Sequence, residues 1–138
     1  MKLFLATKAF IKKDDKILII RESNKYSDGT NIGNYDVIGG RINPGEKFNE
    51  SLLREIKEET GLEVNLDKPF FVNEVRINKN DEIWQIVRIF FTAEAKSDKV
   101  VLSDDHDSYL WINPSDYKNH NIIGNLHEVF EEYLKLNQ

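Results

Sequence analysis

The chain contains no cysteine. That excludes disulfide staples, thiolate metal sites and a cysteine nucleophile. Its 138 residues must be held by a hydrophobic core. A chain of about 150 residues buries roughly 68–70% of its unfolded surface, so no staple is needed. No apolar run approaches the ~20 residues of a membrane span. The opening Met1-Lys2-Leu3-Phe4-Leu5-Ala6-Thr7-Lys8 lacks the apolar length of a signal peptide, because Lys8 and Lys12-Lys13-Asp14-Asp15 follow too soon. A cytoplasmic location is expected. Excess positive charge is also missing: 24 acidic against 19 basic residues give a net charge of −5. Proteins that coat nucleic acid need a basic face, so neither a nucleic-acid nor a membrane partner is expected. An acidic protein can still handle phosphates through divalent cations.

With only 3 Pro and 7 Gly, each break in pattern is informative, and the chain reads as one domain over residues 1–138. Phe4–Ile11 and Lys16–Arg21 are rich in β-favouring residues and predict a hairpin around a polar turn at Lys12–Asp15. The second strand is apolar on both faces and so central. Ser23–Asn34 reads as a loop and Tyr35–Ile38 as a short strand ending at Gly39-Gly40. Pro44-Gly45 marks a turn. A helix is expected from about Asn49, its candidate N-cap, to Thr60, with Leu52, Leu53 and Ile56 as its apolar stripe and Gly61 as its stop. Phe70–Ile77, Ile83–Ala93 and Tyr109–Ile112 predict strands, with a turn at Asn78–Asp81. A last helix over about Leu126–Leu136 carries Leu126, Val129, Phe130, Tyr133 and Leu134 on one face. The fold class is α/β with a mixed sheet.

The first helix holds an electrostatic anomaly. Glu55, Glu58 and Glu59 lie at i, i+3 and i+4, which brings like charges together on one face. They also oppose the macrodipole near the helix C-terminus. A divalent cation would relieve both conflicts, since Mg²⁺ takes oxygen ligands and bridges carboxylates to phosphates. A plain solvated Glu face, with Arg54 and Glu58 as an i,i+4 pair, explains the same residues.

The flanks of this helix separate the two readings. Gly40, five residues, Glu46, seven residues, then Arg54-Glu55-Ile56-Lys57-Glu58-Glu59-Thr60-Gly61-Leu62 matches the signature of the Nudix hydrolases at all nine defined positions across residues 40–62. The leading hairpin and closing helix also resemble the family. The resemblance implies an α/β/α sandwich with a loop–helix–loop catalytic motif. It implies Mg²⁺ or Mn²⁺ held by Glu55, Glu58 and Glu59, joined by a backbone carbonyl at Gly39 or Gly40. Arg54 would orient Glu55, and Glu46 would brace the loop through Arg54. The activity implied is hydrolysis of a pyrophosphate linkage by water attack at phosphorus. The substrate would be a nucleoside diphosphate joined to another moiety, or a nucleoside triphosphate.

The base that takes the water's proton varies in the family. Glu55 and Glu58 are candidates within the motif. Asp105 is the distant one, in Ser103-Asp104-Asp105-His106 followed by Trp111, similar to a family segment with Glu at the Asp105 position. His106 reads as structural, and Tyr109 and Trp111 as core. Arg21 at a strand end is a candidate for substrate phosphates, or an exposed strand end. Tyr35 and Trp84 either stack a base or pack within the sheet. Ile38 stands where the family frequently has Pro.

The proline expected of ADP-ribose enzymes is absent, Pro69 lying too close to Gly61, and the tyrosine of dinucleoside polyphosphate enzymes is missing at Asn78-Lys79. The acidic balance disfavours mRNA decapping, and the lack of cysteine disfavours isopentenyl diphosphate isomerisation. The alternative to an enzyme is a non-catalytic nucleotide-sensing module. The implied partner is a small-molecule nucleotide, and homodimers are frequent in the family.

Overall fold

In the computed structural model, residues 1–23 and 32–136 are described. The elements are β1 (Lys2–Lys13), β2 (Lys16–Glu22), β3 (Tyr35–Asp36), β4 (Ile38–Arg41), α1 (Phe48–Thr60), β5 (Val64–Lys79), β6 (Glu82–Ala95), β7 (His106–Ile112) and α2 (His127–Lys135), with 3₁₀ turns at Pro114–Asn119 and Gly124–Leu126 before α2. Most of the loop expected at Ser23–Asn34 lies outside the described residues. Among the described residues, no helix is long and apolar enough to cross a membrane.

The strands form one mixed sheet in the order β3-β2-β1-β6-β5, with β4 added to β1 and β7 to β2. β1 runs parallel to β6 from Lys2↔Trp84 to Lys12↔Glu94. The other pairings are antiparallel. Period-2 alternation sends the central strands into two cores. Ala9, Ile11, Leu18, Ile20, Phe91 and Ala93 pack against Leu52 and Ile56 of α1. Phe10, Ile17, Ile19 and Phe90 pack against Val129, Phe130 and Tyr133 of α2. This gives the α/β/α arrangement. Leu52 and Ile56 are fully buried, and burial of such side chains contributes about 1.5–3 kcal/mol each.

The two hairpin turns use the residues that tolerate the left-handed region. Asp14 and Asp15 have φ of 51° and 64°, and Asn80 and Asp81 have 54° and 62°. Successive positive φ values give the primed turn that matches strand twist.

Several boundaries differ from expectation. The strand expected at Tyr35–Ile38 is two, β3 and β4, because Val37 breaks the ladder as the chain passes from β2 to β1. β5 begins six residues early, at Val64. Pro69 hid this extension, yet it sits at a register irregularity on the outermost strand, where a missing N–H is tolerated. The N-cap of α1 is Lys47, not Asn49, and no side chain caps it. Asn49 instead lies inside the first turn and accepts a hydrogen bond from the Glu50 N–H. Leu53 is not in the apolar stripe; it is exposed, and Thr60 completes the buried face with Leu52 and Ile56. Gly61 stops the helix as expected, at φ 71°.

The topology leaves one opening. β1 pairs with β2 only at Lys12↔Ile17 and Lys13↔Lys16. Beyond that point the strands part, and β4 pairs with β1 over Ala6–Ala9. A cavity of about 420 Å³ lies in this opening, with walls from all seven strands and α1.

Candidate functional site

α1 points its C-terminal half at the cavity. Glu55 and Glu59 both line it, together with Gly39, Gly40, Asp105 and His106. Glu58 does not. Consecutive helical residues are 100° apart, so Glu58 and Glu59 leave the Glu55 face in opposite directions. Glu58 Oε2 accepts from Arg54 Nη1 at 3.3 Å on the exposed side of the helix. Glu59 turns inward to Ser103 Oγ and to His106 Nδ1, the latter at 3.1 Å.

Arg54 does not hydrogen-bond Glu55, contrary to expectation. Its Nη2 donates to Glu46 Oε2 at 2.9 Å, while Glu46 Oε1 accepts from the Asn43 N–H at 2.9 Å. Glu46 thus braces the loop through Arg54 as expected.

The two glycines have steric causes. A Cβ on Gly39, whose φ is +151°, would collide with the Thr7 carbonyl of the neighbouring strand. A Cβ on Gly40 would stand 2.6 Å from Glu55 Oε2 and 3.0 Å from Oε1. The Glu55 carboxylate therefore occupies the place of a Gly40 side chain.

Burial is the main force on Glu55, raising its pKa above the ordinary glutamate value, with Lys8 and Arg54 opposing. Glu59 moves the other way: its hydrogen bond to His106 outweighs burial and holds it below that value. Burial, then the charge of Glu59, raises Asp105. Three carboxyl groups in one opening are thus tuned apart, an arrangement found at catalytic centres. Among the described residues, no three His, Asp or Glu side chains are gathered into a ready-made metal cage.

Other expected residues lie elsewhere. Arg21 Nε donates to Asp107 Oδ1 at 2.7 Å, and Tyr35 Oη is 3.0 Å from Ser108 Oγ. Both side chains sit along the β2–β3–β7 wing, and neither lines the cavity. Trp111 is half-buried against the α1 core, but Tyr109 is 39% exposed and not core. Trp84 does line the cavity.

Sequence reasoning missed five charged residues there: Lys8, Glu22, Asp36, Arg41 and Lys79. Lys8 Nζ pairs with Asp36 Oδ2 at 3.1 Å, both largely shielded. A lone lysine within the apolar run Ala6–Ile11 was the available signal. Arg41 and Lys79 carried only a positional one, beside Gly40 and beside a turn.

Comparison with known proteins finds relatives in sequence and in fold. A nucleoside triphosphatase, NudI, of Salmonella arizonae is 31% identical over 93 residues, covering 62% of this chain and 65% of that protein. The Salmonella typhimurium protein of the same name is 33% identical over 92 residues, with 61% and 64% covered. The chain thus spans a little under two thirds of the length of these curated relatives. The MutT protein of Methanosarcina mazei superposes with a TM-score of 0.82 at 24% identity, over 99% of this chain and 96% of that one. A MutT Nudix hydrolase of Burkholderia pseudomallei gives 0.76 at 22%, over 96% and 98%. At such identities the two structures establish the shared fold. The family model for the NUDIX domain matches residues 2–133. With that span, the glycine–glutamate packing and the outward brace at Arg54, the chain belongs to the Nudix family.

Proposed function

We propose that the protein is a divalent-cation-dependent hydrolase of the pyrophosphate linkage in a nucleoside triphosphate or a related nucleoside diphosphate derivative. The observation that carries this reading is the set of oxygen donors at one end of the cavity: Glu55, Glu59 and Asp105, beside the tight approach of Gly40 to Glu55. The name of the Salmonella relatives, nucleoside triphosphatase, supports the substrate class.

The donor set fits Mg²⁺ or Mn²⁺, which take hard oxygen ligands. Glu55, Glu59, Asp105 and the Gly40 carbonyl would hold the cation, and Glu58 would join them. The Arg54–Glu58 pair does not prevent this, being 45% and 58% exposed and so weakened by solvent screening. A bound divalent cation neutralises phosphate oxygens and lowers the pKa of water.

The chain's own residues do the rest. Glu55, which lines the cavity and among the described residues makes no side-chain hydrogen bond, takes the proton of the attacking water. His106 and Ser103 hold Glu59 ionised and aimed inward. The Glu46–Arg54 brace fixes the loop entering α1. The molecule acts as a single domain on a small-molecule nucleotide, in the cytoplasm.

The test is turnover of nucleoside triphosphates, nucleotide sugars, ADP-ribose and dinucleoside polyphosphates with Mg²⁺ or Mn²⁺. Hydrolysis should be abolished in a Glu58→Gln/Glu59→Gln double variant. No turnover by the unaltered protein, with nucleotide binding retained, would establish a sensor instead.

A further inference from the structure

Two cations of the cavity, Arg41 and Lys79, gather at one aromatic ring and make no ion pair among the described residues. Arg41 Cζ lies 4.7 Å from the Trp84 ring centre and 4.5 Å from that of Phe4. Lys79 Nζ lies 5.0 Å from the Trp84 ring centre. Among the described residues, no carboxylate pairs with either cation, whereas the third cation of the cavity, Lys8, is taken by Asp36. An aromatic ring orients a cation through its quadrupole but contributes no negative charge. Two positive charges are therefore held in place against rings, with no carboxylate in ion-pair contact among the described residues, although Glu22, Asp36, Glu55, Glu59 and Asp105 line the same cavity.

Trp84 is itself locked. Its Nε1 donates to Glu82 Oε1 at 3.1 Å, and its ring packs at 4.8 Å on Phe4. With two cations already against it, the indole serves as their platform and not as a stacking surface for a base.

We propose that Arg41 and Lys79 form an anion subsite that binds a phosphate group of the substrate not held at the Glu55–Glu59 end. This rests on the hydrolase reading and narrows its substrate class to linear polyphosphates of three or more phosphates, nucleoside triphosphates above all. A nucleoside diphosphate joined to a neutral sugar has no third phosphate to place there. A guanidinium fork and an ammonium group, preset by the rings, suit such an oxyanion.

The experiment compares the unaltered protein with Arg41→Gln, Lys79→Gln and the double variant. Inorganic tripolyphosphate is titrated calorimetrically into metal-free protein in EDTA, so that binding is read without turnover. The double variant should bind roughly tenfold or more weakly, each single variant falling between, and Arg41→Lys should recover part of the loss. A Trp111→Phe background leaves Trp84 as the only tryptophan; its emission should change on tripolyphosphate addition. In turnover, the double variant should raise KM for ATP roughly tenfold more than for ADP-ribose. Unchanged tripolyphosphate affinity in a folded double variant, or equal KM increases for both substrates, overturns the subsite. If the unaltered protein hydrolyses nothing yet binds tripolyphosphate through Arg41 and Lys79, the hydrolase reading falls and the subsite stands.

Discussion

Gly40 lacks a side chain because Glu55 has taken its place: a Cβ there would stand 2.6 Å from the carboxylate. Gly40→Ala should therefore displace Glu55 while leaving the sheet intact. Mn²⁺ affinity, read by electron paramagnetic resonance, should fall about tenfold or more, with little change in Tm. Gly39→Ala meets backbone instead, at Thr7 and Lys8, and should cost a few kcal/mol of stability in a denaturant titration.

Glu58→Gln separates the exposed ion pair from the proposed cation role. The pair with Arg54 alone predicts a stability change within ±0.5 kcal/mol. Activity should nevertheless fall by roughly 10-fold to 100-fold. Loss of stability without loss of activity would confine Glu58 to its bond with Arg54.

The Glu46 brace predicts a pH dependence. Its carboxylate is held below the ordinary glutamate value, first by the Asn43 N–H and then by Arg54. A depressed folded pKa means its stabilisation is complete above the unfolded value and is lost as pH falls through the folded one. Tm of the unaltered protein should thus drop more steeply than that of Glu46→Gln between about pH 5 and 3. Parallel curves would show that the brace contributes nothing.

Arg88 is 6% exposed, and neutral groups meet its guanidinium: Asn73 Oδ1 at 2.9 Å, and Asn125 Oδ1 and O at 3.2 Å. Arg88→Ala removes a buried side chain and these three hydrogen bonds and should destabilise the fold by roughly 1–3 kcal/mol. Asn73→Ala and Asn125→Ala should each cost less in the same urea titration.

Gly61 closes α1 at φ 71° with its N–H on the Lys57 carbonyl at 2.9 Å. Gly61→Ala should cost about 1 kcal/mol, seen as a Tm lower by roughly 2–8 °C. Activity at 25 °C should persist, since the added methyl meets Val101 only at ordinary contact distance.

The motif at residues 40–62, the central hairpin and both helices were legible in the sequence, because each is a local pattern of periodicity, turn chemistry or spacing. What escaped depends on long-range placement. Glu58 and Glu59 look equivalent in sequence, but only the fold decides that one meets Arg54 and the other His106. Arg21 and Tyr35 stand at strand ends near the site in sequence, yet the splaying of β2 from β1 carries them onto the other wing. Lys79 and Trp84 face each other across the β5–β6 turn, and Arg41 joins them only because β4 ends beside the start of β6. The turn at Asn78–Asp81 announces the first two, but no short-range pattern announces the arrival of β4.

The parallel pairing of β1 with β6 also sets a schedule for synthesis. β1 and β2 leave the ribosome first, but their neighbour is complete only at Ala95. At common elongation rates that wait lasts on the order of several seconds. Through it, the apolar runs Ala9-Phe10-Ile11 and Ile17-Leu18-Ile19-Ile20 flank a turn whose strands pair only at Lys12↔Ile17 and Lys13↔Lys16, so the edge of β1 stays open, a template for pairing with other chains. Lys8, Lys12, Lys13 and Lys16 interrupt and flank those runs, so the nascent edge carries like charges that repel a second copy.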